Sequence, residues 1–231
     1  MILANHGIIS SSGGINPLTI GLVSAYNADS NTTDLVGGYN GTAIGGLTYT
    51  TGQDGQAFEF NGTNSYVSIP STSGQLNFTG DFSISTWVMP YVTSASYVLY
   101  FSNFQSGYGY NFYLDRTNNT LQLYMAGGGN YSRYEYGWTP TPTLWYNLVM
   151  VRKGSTSTKF YINGVEVVGT MSGSGATFNA SYQPGQVYNI GSTLNGSGLA
   201  PYRQDSINFW NKELTASNVL DLYNNGKQYP F

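Results

Sequence analysis

The 231-residue chain contains no cysteine. That excludes disulfide scaffolds, thiolate zinc sites, iron–sulfur clusters and cysteine nucleophiles. It has a single histidine, His6, so a Ser-His-Asp triad would have to draw its base from the extreme N-terminal segment. Charge is scarce: Asp, Glu, Lys and Arg together make up 8% of the chain, about a third of the usual share. The scattered Lys and Arg, with a net charge of −3, form no basic stripe, which argues against a nucleic-acid partner. No apolar run approaches the roughly 20 residues of a membrane helix, so no membrane insertion is expected. The start, Met1-Ile2-Leu3-Ala4-Asn5-His6, has no basic stretch and too short an apolar one for a secretory signal.

What is abundant is glycine, at 30 residues, and tyrosine, at 21, with aromatics at 16% overall. Asn, Ser and Thr fill much of the rest. Such a composition suits a β-rich domain whose surface is wetted by amides and hydroxyls rather than by charge. Residues 1–18 read as an N-terminal arm, broken by Ser10-Ser11-Ser12-Gly13-Gly14 and followed by Pro17. A polar tail is one reading. The presence of Ile2-Leu3 and Ile8-Ile9 favours a tether that docks the domain on a larger assembly. Residues 19–231 are expected to form one domain.

From residue 19 onward, short alternating segments follow one another between Gly and Asn turns. Ala57-Phe58-Glu59-Phe60 runs into Asn61-Gly62, and Phe160-Tyr161-Ile162 into Asn163-Gly164, both turn dipeptides. About a dozen strands are expected, at spacings that argue a β-sandwich rather than a βαβ fold. One helix is predicted over Ala216–Tyr223, capped by Thr215 and stopped by Asn225-Gly226.

Six sequence features then fall in a telling order. Leu22-Val23-Ser24-Ala25-Tyr26-Asn27-Ala28-Asp29 is followed by Asp34 and by Gly37-Gly38-Tyr39-Asn40-Gly41-Thr42. Gly55-Gln56-Ala57-Phe58-Glu59-Phe60-Asn61-Gly62 precedes Tyr66-Val67, and Phe82 to Pro90 reads FSISTWVMP. Trp145 to Val149 leads to Phe160-Tyr161-Ile162-Asn163-Gly164, then Asn189-Ile190-Gly191, then Asp205 through Val219. This series, over residues 22–226, resembles the laminin-G-like jelly roll of the concanavalin A-like lectin/glucanase superfamily. The resemblance implies an all-β, antiparallel two-sheet jelly-roll β-sandwich with one short C-terminal helix. The ending, Leu222-Tyr223-Asn224-Asn225-Gly226 with Tyr229-Pro230-Phe231, also resembles jelly-roll domains of bacteriophage structural proteins.

Glucanases of this superfamily carry paired carboxylates on one strand, and glycoside hydrolysis needs two such groups at a set separation. The four glutamates, Glu59, Glu135, Glu166 and Glu213, have no carboxylate neighbour within four positions, so no single strand presents a pair. Asp115 with Glu135 is the one cross-strand pair considered, and no enzymatic activity is expected. The resemblance implies calcium ligands at Asp29, Asp34 and Asp205; the alternative is that these carboxylates hold backbone N–H groups at loop and strand ends.

Lectin sites stack aromatic faces on sugar rings and fix the hydroxyls with amides and charge. Tyr108, Tyr110, Asn130, Tyr131, Arg133, Tyr134, Tyr136 and Trp138, in or beside Gly-rich loops, are the candidate glycan-binding residues. A subunit interface or plain sheet surface are the alternatives for the same tyrosines. Trp87, Trp145 and Trp210 are assigned to the core. The expected role is a non-enzymatic recognition module on a phage-like virion surface: a decoration, spike or fibre protein assembled in the bacterial cytoplasm. It would be tethered to other virion proteins by its arm, would self-associate, and would bind a host-surface glycan. The alternatives are a capsid or tail cement protein without ligand, and a secreted, extracellular carbohydrate-binding module.

Overall fold

A computed structural model describes residues 15–71, 73–92, 94–154, 156–174, 179–193, 199–226 and 229–231. Residues 1–14, most of the expected arm, lie outside these. Among the described residues the chain runs through β1 (Leu22–Tyr26), β2 (Thr42–Ile44), β3 (Thr48–Thr51), β4 (Gln56–Asn61) and β5 (Tyr66–Ile69). There follow β6 (Phe82–Pro90), β7 (Tyr97–Ser102), β8 (Gly109–Asp115), β9 (Thr120–Gly127) and β10 (Asn130–Gly137). The last strands are β11 (Tyr146–Lys153), β12 (Ser157–Ile162), β13 (Val165–Val167), β14 (Thr170–Gly173), β15 (Tyr188–Ile190) and β16 (Pro201–Trp210), before helix α1 (Ala216–Asn225).

The strands form two antiparallel sheets. The first has the order β13-β12-β11-β6-β16-β4-β3, and β1 joins it by pairing with the second half of β16. The second has the order β14-β10-β9-β8-β7-β15-β5-β2. The expected all-β sandwich with one C-terminal helix is therefore the observed fold. About a dozen strands are expected from the sequence and sixteen are observed among the described residues. Of the shorter ones, β2, β3 and β14 are only three or four residues long. Strand β10 carries Asn130, Ser132, Arg133 and Glu135 among its eight residues and so lacks the apolar density of its neighbours.

The core between the sheets is aromatic. Phe101 of β7 meets Phe209 of β16 edge-on at 4.8 Å between ring centres, and Phe160 of β12 packs on Phe112 and Tyr134 at 5.8 and 4.9 Å. Each such ring, removed from water, contributes about 1.5–3 kcal/mol. Two buried polar ties also cross the sheets: Gln204 Nε2 donates to the Tyr100 carbonyl at 3.1 Å and the Tyr202 hydroxyl to the Leu99 carbonyl at 2.6 Å.

A second apolar cluster lies on the outer side of the first sheet. Val149, Val151, Tyr161 and Trp210 point there and are roofed by Leu18, Leu214, Val219 and Leu222. Thr215 caps α1 through the Asn218 N–H at 3.2 Å, and the Asn218 side chain returns a bond to the Thr215 N–H. Gly226 ends the helix at φ 58°, a left-handed conformation that glycine adopts without a Cβ penalty. The helix thus begins and ends where its capping residues predict. Leu18, which ends the expected arm, is buried, and its carbonyl accepts the Trp210 indole N–H at 2.7 Å.

Candidate functional site

Among the described residues no helix lies over the outer side of the second sheet. Strand alternation decides which side chains it bears. On β8, Tyr110, Phe112 and Leu114 face the core, so Asn111, Tyr113 and Asp115 face out. On β9, Leu121, Leu123 and Met125 face in, leaving Gln122 and Tyr124 outside; on β10, Tyr134 packs inward and Tyr131, Arg133 and Glu135 outward. Register then sets the neighbours: Tyr113 lies opposite Gln122, which lies opposite Glu135, and Asn111 lies opposite Tyr124, which lies opposite Arg133.

The rings form two groups on this face. Tyr124 and Tyr131 stack at 5.6 Å and 18°, Phe104 stands edge-on to Tyr124 at 5.6 Å, and Tyr97 stands edge-on to Tyr113 at 5.7 Å. Tyr97 and Tyr131 each remain 43% exposed, a large share for a tyrosine on a sheet face. Between the two ring groups is an open hollow of about 470 Å³ lined by Tyr97, Leu99, Phe104, Asn111, Tyr113 and Thr193. Asn111 Oδ1 is buried in that lining without a hydrogen-bond partner among the described residues, an acceptor whose desolvation is uncompensated until a donor arrives. Burial holds the phenols of Tyr113 and Tyr124 protonated above the ordinary tyrosine range, helped at Tyr113 by the Asp115 carboxylate.

Beside the rings is a polar strip. Tyr113 donates its hydroxyl to Gln122 Oε1, and Gln122 Nε2 reaches Thr120 Oγ1 at 2.6 Å, Glu135 Oε2 at 3.4 Å and Asp115 Oδ2 at 3.5 Å. Asp115 also closes the β8–β9 turn, accepting the Thr117 and Asn118 N–H groups at 2.9 and 3.1 Å. Arg133 Nε lies 3.2 Å from Glu135 Oε2. The Asp115–Glu135 pair considered from the sequence therefore shares one region of the face, but the Gln122 amide stands between the two carboxylates.

The expected glycan residues divide. Tyr131 and Arg133 lie on this face, and Asn130 is exposed at its edge, after the Gly128-Gly129 turn whose φ values of 62° and 82° suit glycine. Tyr110 is a correction: it is fully buried, ringed by Phe82 and Phe101, and donates its hydroxyl to the Leu76 carbonyl at 3.1 Å. Tyr134 is a second correction, 8% exposed and packed on Phe160. Tyr136 and Trp138 are half-buried against the core, and Tyr108 is half-buried in the turn before β8. Tyr97, Phe104, Asn111, Tyr113, Gln122 and Tyr124 were missed. Their signal was parity: once Tyr110, Phe112 and Leu114 are read as one face, Asn111 and Tyr113 belong to the other.

The expected calcium ligands hold loops. Asp34, 4% exposed, accepts four backbone N–H groups: Ala25, Val36 and Gly37 on Oδ1 at 3.0–3.2 Å, and Tyr39 on Oδ2 at 3.1 Å. Asp205 Oδ2 accepts Gln53 and Asp54 N–H at 2.8 and 3.1 Å, and Asp29 Oδ1 accepts Gln56 N–H at 2.8 Å. Asp29 and Asp205 thus grip one turn and Asp34 another. No group of three His, Cys, Asp or Glu side chains gathers as a metal site among the described residues. Calcium takes six to eight oxygens with their lone pairs directed at the ion; here the oxygens meet N–H donors, and the set does not fit it.

Of the three tryptophans assigned to the core, Trp210 is fully buried and Trp87 is 6% exposed beneath α1, whereas Trp145 is half-exposed ahead of β11. Among the described residues no helix is long and apolar enough to cross a membrane.

Residues 61–220 match the family model of the Concanavalin A-like lectin/glucanases superfamily. No curated protein matches the chain. Among solved structures, domain 4 of an extracellular GH43 arabinanase from Geobacillus stearothermophilus, in complex with arabinotriose, superposes with a TM-score of 0.67 at 21% identity, over 87% of this chain and 98% of that one. The receptor-binding domain of a botulinum neurotoxin C/D mosaic serotype gives 0.70 at 13% identity, over 89% of this chain and 51% of that one. The binding domain of botulinum neurotoxin DC in complex with SialylT gives 0.69 at 13% identity, over 90% and 52%. The chain spans about half the length of these toxin domains. At such identities the likeness is one of fold.

Proposed function

Because this chain belongs to the Concanavalin A-like lectin/glucanases superfamily, we propose that it is a saccharide-recognition module whose ligand lies across the outer face of the second sheet. The observation that carries this reading is the buried, unpartnered Asn111 Oδ1 in a hollow walled by Tyr97, Phe104 and Tyr113. Sugar rings present C–H faces to aromatic rings and hydroxyls to amides, and this face offers both within one hollow. Tyr124 and Tyr131 extend the stacking surface, and Arg133 and Glu135 supply hydroxyl partners at its side. The arabinanase domain's complex with arabinotriose supports the reading by analogy of fold.

The module acts by binding rather than by turnover. Asp115 is engaged in its turn, Glu135 is paired with Arg133, and Gln122 fills the space between them that a scissile oxygen would need. Calcium has no part in the reading. The setting we propose is the surface of a phage-like particle, with residues 1–18 as the tether and copies of the domain side by side; the C-terminal resemblance to phage jelly rolls supports it. A second reading, a cement protein without ligand, is favoured by one feature: Val165 and Val168, at and just after edge strand β13, are 66% and 84% exposed.

The test is binding of the purified protein and its Tyr124→Ala/Tyr131→Ala variant to a panel of glycans and bacterial-envelope saccharides. Binding by the parent and its loss in the variant, at unchanged melting temperature, is the expected result. Equal binding by both would overturn the site. A folded parent that binds nothing on the panel would overturn the function in favour of the cement.

A further inference from the structure

A second hollow, of about 670 Å³, opens on the other sheet. Five separate segments build it: Gln53 from the β3–β4 turn, Trp87 from β6, Trp145 from the approach to β11, Asn163 from the β12–β13 turn, and Tyr223 with Asn224 from the last turn of α1. Trp87 and Tyr223 stack at 5.9 Å and 25°, and Trp145 and Tyr223 are each half-exposed. Each segment is fixed independently of any ligand. Asp205 holds the backbone of Gln53 and Asp54, and Asn163 is locked to β11 by its N–H on the Asn147 carbonyl and its Oδ1 on the Asn147 N–H, both at 2.9 Å. Asn147 lies directly opposite Trp87 in register, and its own Oδ1 is buried without a partner among the described residues.

We propose that this hollow is a second saccharide site, specific for a neutral sugar, that works independently of the tyrosine face. Three tests of chemistry select that class. Among the described residues the lining holds no carboxylate and no Lys or Arg, whereas the tyrosine face has Arg133. Its amides lie beside indole and phenol rings, the pairing that recognises an uncharged polyhydroxylated ring.

The four tryptophans give four indole N–H signals in a nitrogen-15 correlation spectrum, which separate this hollow from the rest of the molecule. The full chain is titrated with arabinotriose, maltotriose and chitotriose, as neutral pentose, hexose and N-acetylhexosamine probes. The expected result is movement of the Trp145 and Trp87 signals with at least one probe while Trp210 stays fixed. Gln53→Ala and Asn224→Ala, both exposed, should weaken that response about three- to tenfold each, the loss of one hydrogen bond. Tyr124→Ala/Tyr131→Ala should leave it unchanged, which keeps failure of the tyrosine face distinct from failure of this site. An immobile Trp145 signal with all three probes would overturn the proposal. So would a response that survives both amide variants undiminished, or one that disappears with the two tyrosines.

Discussion

The two sheets turn opposite kinds of outer face to the surroundings. On the first, Val149, Val151 and Trp210 are covered by α1, Leu18 and Phe231, whose ring stacks on Trp210 at 6.1 Å. On the second, Tyr97, Tyr113, Tyr124 and Tyr131 form an equally aromatic surface with no helix or strand over it among the described residues. The difference lies in what the rings carry. Aliphatic side chains and a buried indole demand a roof, and the chain supplies one with its C-terminal helix. Phenols beside Gln122, Arg133 and Glu135 tolerate water, so that face can stay open and receive something else. Apolar area is structural where the chain covers it and available for recognition where it does not.

The contrast can be broken most forcefully on the covered side. Trp210→Ala removes a fully buried ring that also donates to Leu18, and a loss of about 3–5 kcal/mol in unfolding free energy is expected by urea titration. On the open side, Tyr124→Ala/Tyr131→Ala should leave the urea midpoint nearly unmoved while lowering saccharide affinity tenfold or more. If both substitutions unfold the protein alike, the faces do not differ in kind.

A third expectation concerns the interior that both faces enclose. Burial raises the phenols of Tyr26, Tyr100, Tyr110 and Tyr202 above the ordinary tyrosine value of 10. Above that value the unfolded chain releases phenolic protons that the folded chain retains. The stabilisation is therefore complete below about pH 10 and is lost progressively as pH rises further. Melting temperature should fall on the alkaline side, with tyrosinate absorbance appearing in step with unfolding; early tyrosinate absorbance from most of the tyrosines without unfolding would contradict the burial.

Smaller again is the roof's cap. Thr215→Ala should cost about 1 kcal/mol, read as a lower urea midpoint with saccharide affinity of the tyrosine face intact. The smallest effect expected is that of EDTA. With Asp34 and Asp205 holding backbone N–H groups, removing divalent cations should shift neither melting temperature nor binding. A clear drop in either would restore a cation to these loops.

Much of the architecture was legible in advance. Alternation, Asn-Gly turns and the Thr215 and Gly226 caps are local signals, and each has a local structural outcome. The site was legible only as a region. Aromatics near glycine-rich turns were taken as exposed, yet Tyr110 and Tyr134 went inward while Tyr113 and Tyr124 went outward. Which way a ring points depends on strand parity, and for β10 parity could be set only once Tyr134 was seen to meet Phe160 on the opposite sheet.

The sequence by itself determined a two-sheet sandwich of one family, because period-two patterning and turn chemistry act over a few residues. It also determined that chemistry requiring thiols is absent. Only the tertiary structure decided that three conspicuous aspartates would hold loops, that one aromatic face would be roofed and the other left bare, and that two tryptophans would wall a surface hollow. Several of those outcomes rest on contacts between residues more than a hundred positions apart, such as Asp205 with Gln53 and Trp210 with Leu18. Such contacts exist only after the sheets have packed.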